Sequence, residues 1–102
     1  MTDEPTYERR YDIEGYEEKI LLQIFEPKPR EDGGWECRYR LSAPALAWES
    51  KLVCLTGDDG LDAFVSVLIT ATIELRSLSR RSGSVVSFMG DDNLDLIDRD
   101  FY

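Results

Sequence analysis

From Leu61 to Ser79 the chain runs without a proline or a glycine, and it is the one stretch long and periodic enough to demand a helix. Steps of about 100° per residue place Leu61, Phe64, Val65, Val67, Leu68, Ala71, Thr72, Leu75 and Leu78 in one arc of roughly 160°, which reads as a core face. Asp62, Ala63, Ser66, Thr70, Glu74, Arg76, Ser77 and Arg80 take the opposite side. Ile69 and Ile73 sit among those polar residues one turn apart, an apolar pair where water is expected. Thr56 and Asp59 have the spacing of a capping box, and Asp58, Asp59 and Asp62 gather at the positive end of the helix dipole. Arg76, Arg80 and Arg81 suit the negative end, and Gly83 supplies the left-handed residue that closes a helix. A rod from Asp59 to Arg80 is roughly 33 Å long, so a broad sheet must lie beneath it.

The chain before this helix alternates. Thr6 to Ile13 reads as a strand with Tyr7, Arg9, Tyr11 and Ile13 on one face, and Gly15 breaks it. Glu18 to Glu26 is apolar on both faces, Ile20, Leu22 and Ile24 against Leu21 and Phe25, as in a central strand. Pro27 to Gly34 is a loop. In the third strand Trp35, Cys37, Tyr39 and Leu41 alternate with Glu36, Arg38 and Arg40, so one face packs and the other is wet. Pro44 interrupts, and Trp48 to Leu55 resumes as a fourth strand that brings Trp48, Leu52 and Cys54 to one face if a bulge sits near Ser50. Ser84 to Met89 is a short β-prone run. The expected fold is α+β: an antiparallel sheet of four to five strands with one long helix packed across one face. Residues 1–102 form one domain, with 1–5 a frayed end and 90–102 an acidic tail whose Leu94, Leu96, Ile97 and Phe101 are too many to stay solvated, so that it docks on the body or on a partner.

The charge narrows the partners. Twelve basic against 21 acidic residues leave −9 at pH 7, a field that repels phosphate backbones and anionic headgroups, so no direct nucleic acid and no membrane is expected, and a basic protein is favoured. No apolar run approaches a membrane span and the amino terminus is acidic, which points to the cytoplasm. There Cys37 and Cys54 read as buried packing thiols and not as a bridge, unless their strands prove to be neighbours in register.

Catalytic chemistry finds little purchase. Histidine is absent, Lys19, Lys28 and Lys51 lie in no Ser-x-x-Lys setting, and with two cysteines a zinc site would have to be mostly carboxylate. Adjacent acids such as Asp58 and Asp59 are expected by abundance alone. Asp91-x-Asn93-x-Asp95 imitates a calcium loop but carries Leu96 and Tyr102 where glycine and glutamate are needed. No cofactor, no metal and no enzyme activity is therefore expected. The candidate partner surface is Ile69 and Ile73 with the tail acids Asp91, Asp92, Asp95 and Asp98, although the tail itself is an alternative cover for the isoleucines. The reading this favours is a non-enzymatic protein-binding module, most concretely an immunity-type inhibitor of a basic toxin or nuclease. One alternative is a small-ligand binder or enzyme with a pocket between sheet and helix lined by Trp35, Tyr39 and Trp48, with Asp59 or Asp62 at the helix start. Another is a homodimer formed through Ile69 and Ile73.

Trp35-x-Cys37-x-Tyr39, followed by Gly57-x-Asp59-x-x-Asp62-Ala63-Phe64 opening a long helix, resembles a family of short bacterial proteins catalogued only as a domain of unknown function. Its pattern has Trp-x-Cys on a strand, Gly-x-Asp-x-x-Gln-Ala-Leu at the helix start and a Gly-Phe-Pro end. This chain departs at Asp62, at Phe64 and at its last residues, Asp100-Phe101-Tyr102. The resemblance implies the architecture across nearly the whole chain and assigns no activity.

Overall fold

The computed structural model describes residues 4–50 and 52–88. Strands β1 (Tyr7–Ile13) and β2 (Ile20–Ile24) form an antiparallel pair in which Arg9 opposes Leu22. β4 (Trp35–Ala43) pairs with β2 through Leu21↔Ser42 to Ile24↔Tyr39. The two-residue β3 (Lys28–Pro29) meets the start of β4 on that same side. The other edge of β4 takes β5 (Trp48–Glu49) and β6 (Val53–Gly57). Helix α1 (Gly60–Ser82) then crosses one face, and β7 (Val86–Ser87) pairs with β1 at Asp12 and Ile13. Seven short strands thus lie in rows, β7, β1, β2 with β3, β4, and β5 with β6, all neighbours antiparallel. The α+β architecture with one helix on an open antiparallel sheet is the one the alternation and the single long helix demand.

The core lies between helix and sheet. Tyr11, Ile13, Ile20, Leu22, Ile24, Cys37, Tyr39, Leu41 and Ala43 meet Ala63, Val67, Ala71, Leu75 and Leu78. The buried helical face is rotated from the one the arc implies. Ala63, placed on the wet side by spacing alone, is fully buried, and Leu61, placed in the core, is 72% exposed. The cause is close packing at the helix start: β6 ends in Gly57, whose bare Cα lets the first turn settle on the strand with Ala63 underneath, which swings Leu61 outward.

The cap is also shifted. Thr56 belongs to β6, and the N-cap is Asp59, whose Oδ1 accepts from Asp62 N at 2.7 Å. Asp62 Oδ2 in turn accepts from Asp58 N at 2.9 Å, so two carboxylates satisfy amides that the helix cannot. At the other end Gly83 adopts φ 71° and its N–H donates to Ser79 O at 3.1 Å.

The bulge falls near Ser50. β5 pairs Ser42↔Glu49 and β6 pairs Tyr39↔Val53, so positions 50–52 stand opposite only Arg40 and Leu41. Ser50 N donates to Leu41 O at 2.7 Å, and Ser50 Oγ accepts from Leu41 N at 2.7 Å. One extra residue reverses the side-chain alternation beyond it. Val53 and Leu55 therefore pack toward the core, while Leu52 and Cys54, expected inside with Trp48, are exposed. Cys37 and Cys54 lie on adjacent strands but on opposite faces, and both are free thiols.

Candidate functional site

Helix α1 rests on β4 and β6 and touches β7. Beside its first turns, over Tyr7 to Arg9 of β1 and Leu22 and Ile24 of β2, an apolar cleft of about 230 Å³ stays open, lined by Tyr7, Glu8, Arg9, Leu22, Ile24, Phe64 and Leu68. Each contributes by its place in an element. Tyr7 and Arg9 alternate inward along β1 opposite Ile24 and Leu22 of β2, and Phe64 and Leu68 are one turn apart on the flank of the helix. The Tyr7 and Phe64 rings meet at 5.8 Å, and the Arg9 guanidinium lies 4.2 Å from the centre of the Phe88 ring. Glu8, on the outer side, accepts from Gln23 Nε2 at 3.1 Å.

Beside the cleft the helix carries a second apolar feature. Leu61, Val65, Ile69 and Ile73 follow at intervals of four, which aligns them as a ridge along the helix surface. Ile73 is half exposed and Ile69 partly so, as their position among polar residues requires; Leu61 extends the ridge to the capped end. Asp58, Asp59 and Asp62 stand exposed at that end. Asp58 and Asp62 border a polar basin of about 490 Å³ shared with Arg30, Asp32, Gly34, Thr56 and Gly57. In it the Asp32 carboxyl is held below its ordinary pKa, first by the Gly34 amide at 3.1 Å and further by Arg30, whose Nη2 lies 3.3 Å away.

The residues proposed for a pocket between sheet and helix are spread over three places. Tyr39 is fully buried in the core, and its hydroxyl donates to Glu74 of the helix. Trp35 packs against the core, with Gly60 so close that a Cβ there would lie 3.2 Å from the ring. Trp48 borders a shallow recess with Leu46, Leu78, Arg81 and Ser82 at the far end of the helix, with the Arg81 guanidinium 5.8 Å from its ring centre. Asp59 and Asp62 are the cap. Asp91, Asp92, Asp95 and Asp98 lie outside the described residues. Conversely, spacing did not single out Tyr7, Leu22, Ile24, Phe64 and Leu68 as lining a cleft, because each also reads as an ordinary core position. Among the described residues no group of three His, Cys, Asp or Glu side chains is arranged to hold a metal ion, and no helix is long and apolar enough to cross a membrane.

The sequence model of one protein family, the domain of unknown function DUF6968, matches residues 7–96. The chain belongs to this family. Membership in DUF6968 spans every described strand and the whole helix, and it agrees with the expectation of an uncharacterised domain family that covers nearly the whole chain. No curated protein and no solved structure matches the chain.

Proposed function

We propose that this protein is a non-enzymatic binding module for a basic protein partner, most concretely an immunity-type inhibitor that covers a basic site on a toxin or nuclease. The observation that carries the reading is the ridge of Leu61, Val65, Ile69 and Ile73 on the outer helix surface, ending among the exposed acids Asp58, Asp59 and Asp62. An apolar strip flanked by charge of one sign is suited to a partner of opposite charge: the strip supplies affinity on contact, and the field of a chain at −9 steers the approach. The cytoplasm is the compartment that suits it, since two unpaired thiols persist there.

The test is complex formation with candidate basic toxins at low salt, using the wild-type chain and Ile73→Glu. Covering one isoleucine is worth about 1.5–3 kcal/mol, so the variant should lose roughly ten-fold to a hundred-fold in affinity, and the wild-type affinity should fall as salt rises. A complex indifferent to both, or no complex with any candidate, overturns the reading. Sedimentation of the same two chains separates it from self-association, in which the wild type is a dimer and Ile73→Glu a monomer. A small-ligand site is the weaker alternative, because the apolar cleft of about 230 Å³ falls short of the about 300–1,000 Å³ common for such pockets, and the larger basin of about 490 Å³ at the helix start is an open hollow lined by polar and charged residues and not by apolar ones.

A further inference from the structure

We propose that the occupant of the cleft between β1–β2 and the helix is the chain's own C-terminal segment, residues 89–102. The proposal is independent of the partner reading, which concerns the ridge on the outer helix surface.

The first argument is direction. β7 runs antiparallel to β1, with Val86 opposite Ile13 and Ser87 opposite Asp12, so the chain leaves Phe88 beside Tyr11 heading back along β1 toward Tyr7. Phe88 already lies next to the cleft, its ring 5.7 Å from that of Tyr11 and 4.2 Å from the guanidinium of Arg9, one of the lining residues. Tyr11 and Tyr7 are four residue steps apart along β1, roughly 13 Å of strand. Met89 to Asp92 span that distance, which brings Leu94 to the mouth of the cleft without strain.

Length and pattern agree. The family match continues past Phe88 to residue 96, so the stretch holding Leu94 and Leu96 belongs to the domain pattern and is no appendage. Leu94, Ile97 and Phe101 recur at intervals of three and four, a spacing that would align them on one side if the segment coiled. They match a cleft walled by Tyr7, Leu22, Ile24, Phe64 and Leu68. Charge bears on it locally: Asp91, Asp92, Asp95, Asp98 and Asp100 would come up against the stretch of β1 that carries Arg9 and Arg10, where Glu8 is engaged by Gln23 and Asp12, further along, is paired with Lys19. The exposure of Tyr7, 58% among the described residues, is that of a ring awaiting a neighbour at the cleft mouth.

The experiment places a nitroxide on the full chain at Asp98→Cys, with Cys54→Ser removing the exposed thiol and Cys37 left buried between sheet and helix. Methyl resonances of Leu22, Ile24, Leu68, Ile69 and Ile73 are then followed. Docking in the cleft broadens Leu22, Ile24 and Leu68 beyond detection and spares Ile73. Adding Leu94→Asp and Ile97→Asp to the labelled chain restores those signals while the remaining spectrum stays folded. Broadening centred on Ile69 and Ile73, broadening nowhere, or broadening seen only between differently labelled chains in a mixed sample overturns the proposal. None of these outcomes depends on a partner protein.

Discussion

Gly57 and Ala63 are in direct backbone opposition: a Cβ on Gly57 would lie 2.5 Å from the Ala63 amide nitrogen and 2.8 Å from Asp62 Oδ2. Asp62 Oδ2 could swing away, but Ala63 N and the Asp62 carbonyl carbon, 2.9 Å from that Cβ, are backbone of a capped helical turn, so the strand or the helix start must move. Gly57→Ala is expected to cost at least the about 1–3 kcal/mol of an overpacked core, and a fall in the urea midpoint at unchanged slope measures it.

The cap at Asp59 offers a milder lesion. Asp59→Ala removes the acceptor for Asp62 N and should cost about 1 kcal/mol, whereas Asp59→Asn should retain most of it. Thermal unfolding of the two variants beside Thr56→Ala locates the cap, since the threonine change leaves this hydrogen bond intact.

Tyr39 links the sheet to the helix through Glu74. Burial first, and the bond to Glu74 second, push its phenol pKa well above the ordinary value of about 10. The unfolded chain therefore ionises this tyrosine while the folded one keeps its proton, so its contribution to stability is complete below about pH 10 and is lost as pH rises beyond. Tyr39→Phe should lower stability at neutral pH by about 1 kcal/mol and flatten the alkaline decline, both read from denaturant midpoints across pH.

The two thiols should differ in reactivity. Cys37 is buried beneath the helix with its Sγ 3.3 Å from Phe25 O, and it should react only on unfolding. Cys54 is exposed, but its hydrogen bond to Glu36 at 2.8 Å, more than desolvation, raises its pKa and keeps it protonated. Glu36→Gln should speed alkylation of Cys54 at neutral pH and leave Cys37 protected, as peptide mapping of the alkylated chain would show.

Ser50 stands in for a missing backbone acceptor. Its hydroxyl serves Leu41 N, so Ser50→Ala leaves that amide unsatisfied beside the core, at a cost of about 1–3 kcal/mol. Faster amide hydrogen exchange at Leu41 than at Tyr39 in the variant would trace the loss to the bulge.

These features explain where the sequence is transparent and where it is not. The third strand is legible because Trp35, Cys37, Tyr39 and Leu41 alternate against charged residues without interruption, and a period of two has only one face to bury. The central placement of β2 follows from apolar side chains on both of its faces. The position of the bulge can be read at Ser50, but its effect on Cys54 cannot, since a shift of one residue leaves composition untouched while exchanging inside for outside. Helical periodicity likewise defines an arc but not its rotation, which depends on Gly57 admitting Ala63 from another element. The cleft was hidden for a related reason. Tyr7, Ile24 and Phe64 have core chemistry, and only the seating of the helix on β4 and β6 leaves a gap beside them.

The helix joins the row at one margin of the sheet to the row at the other, because β6 precedes it and β7 follows it. On the ribosome this means that the first strand made is the last to gain its outer neighbour: Asp12 and Ile13 wait until residues 86 and 87 have emerged. Throughout translation that margin is a potential template for a stray chain. The alternating charges Glu8, Arg10 and Asp12 stand guard over it in the meantime.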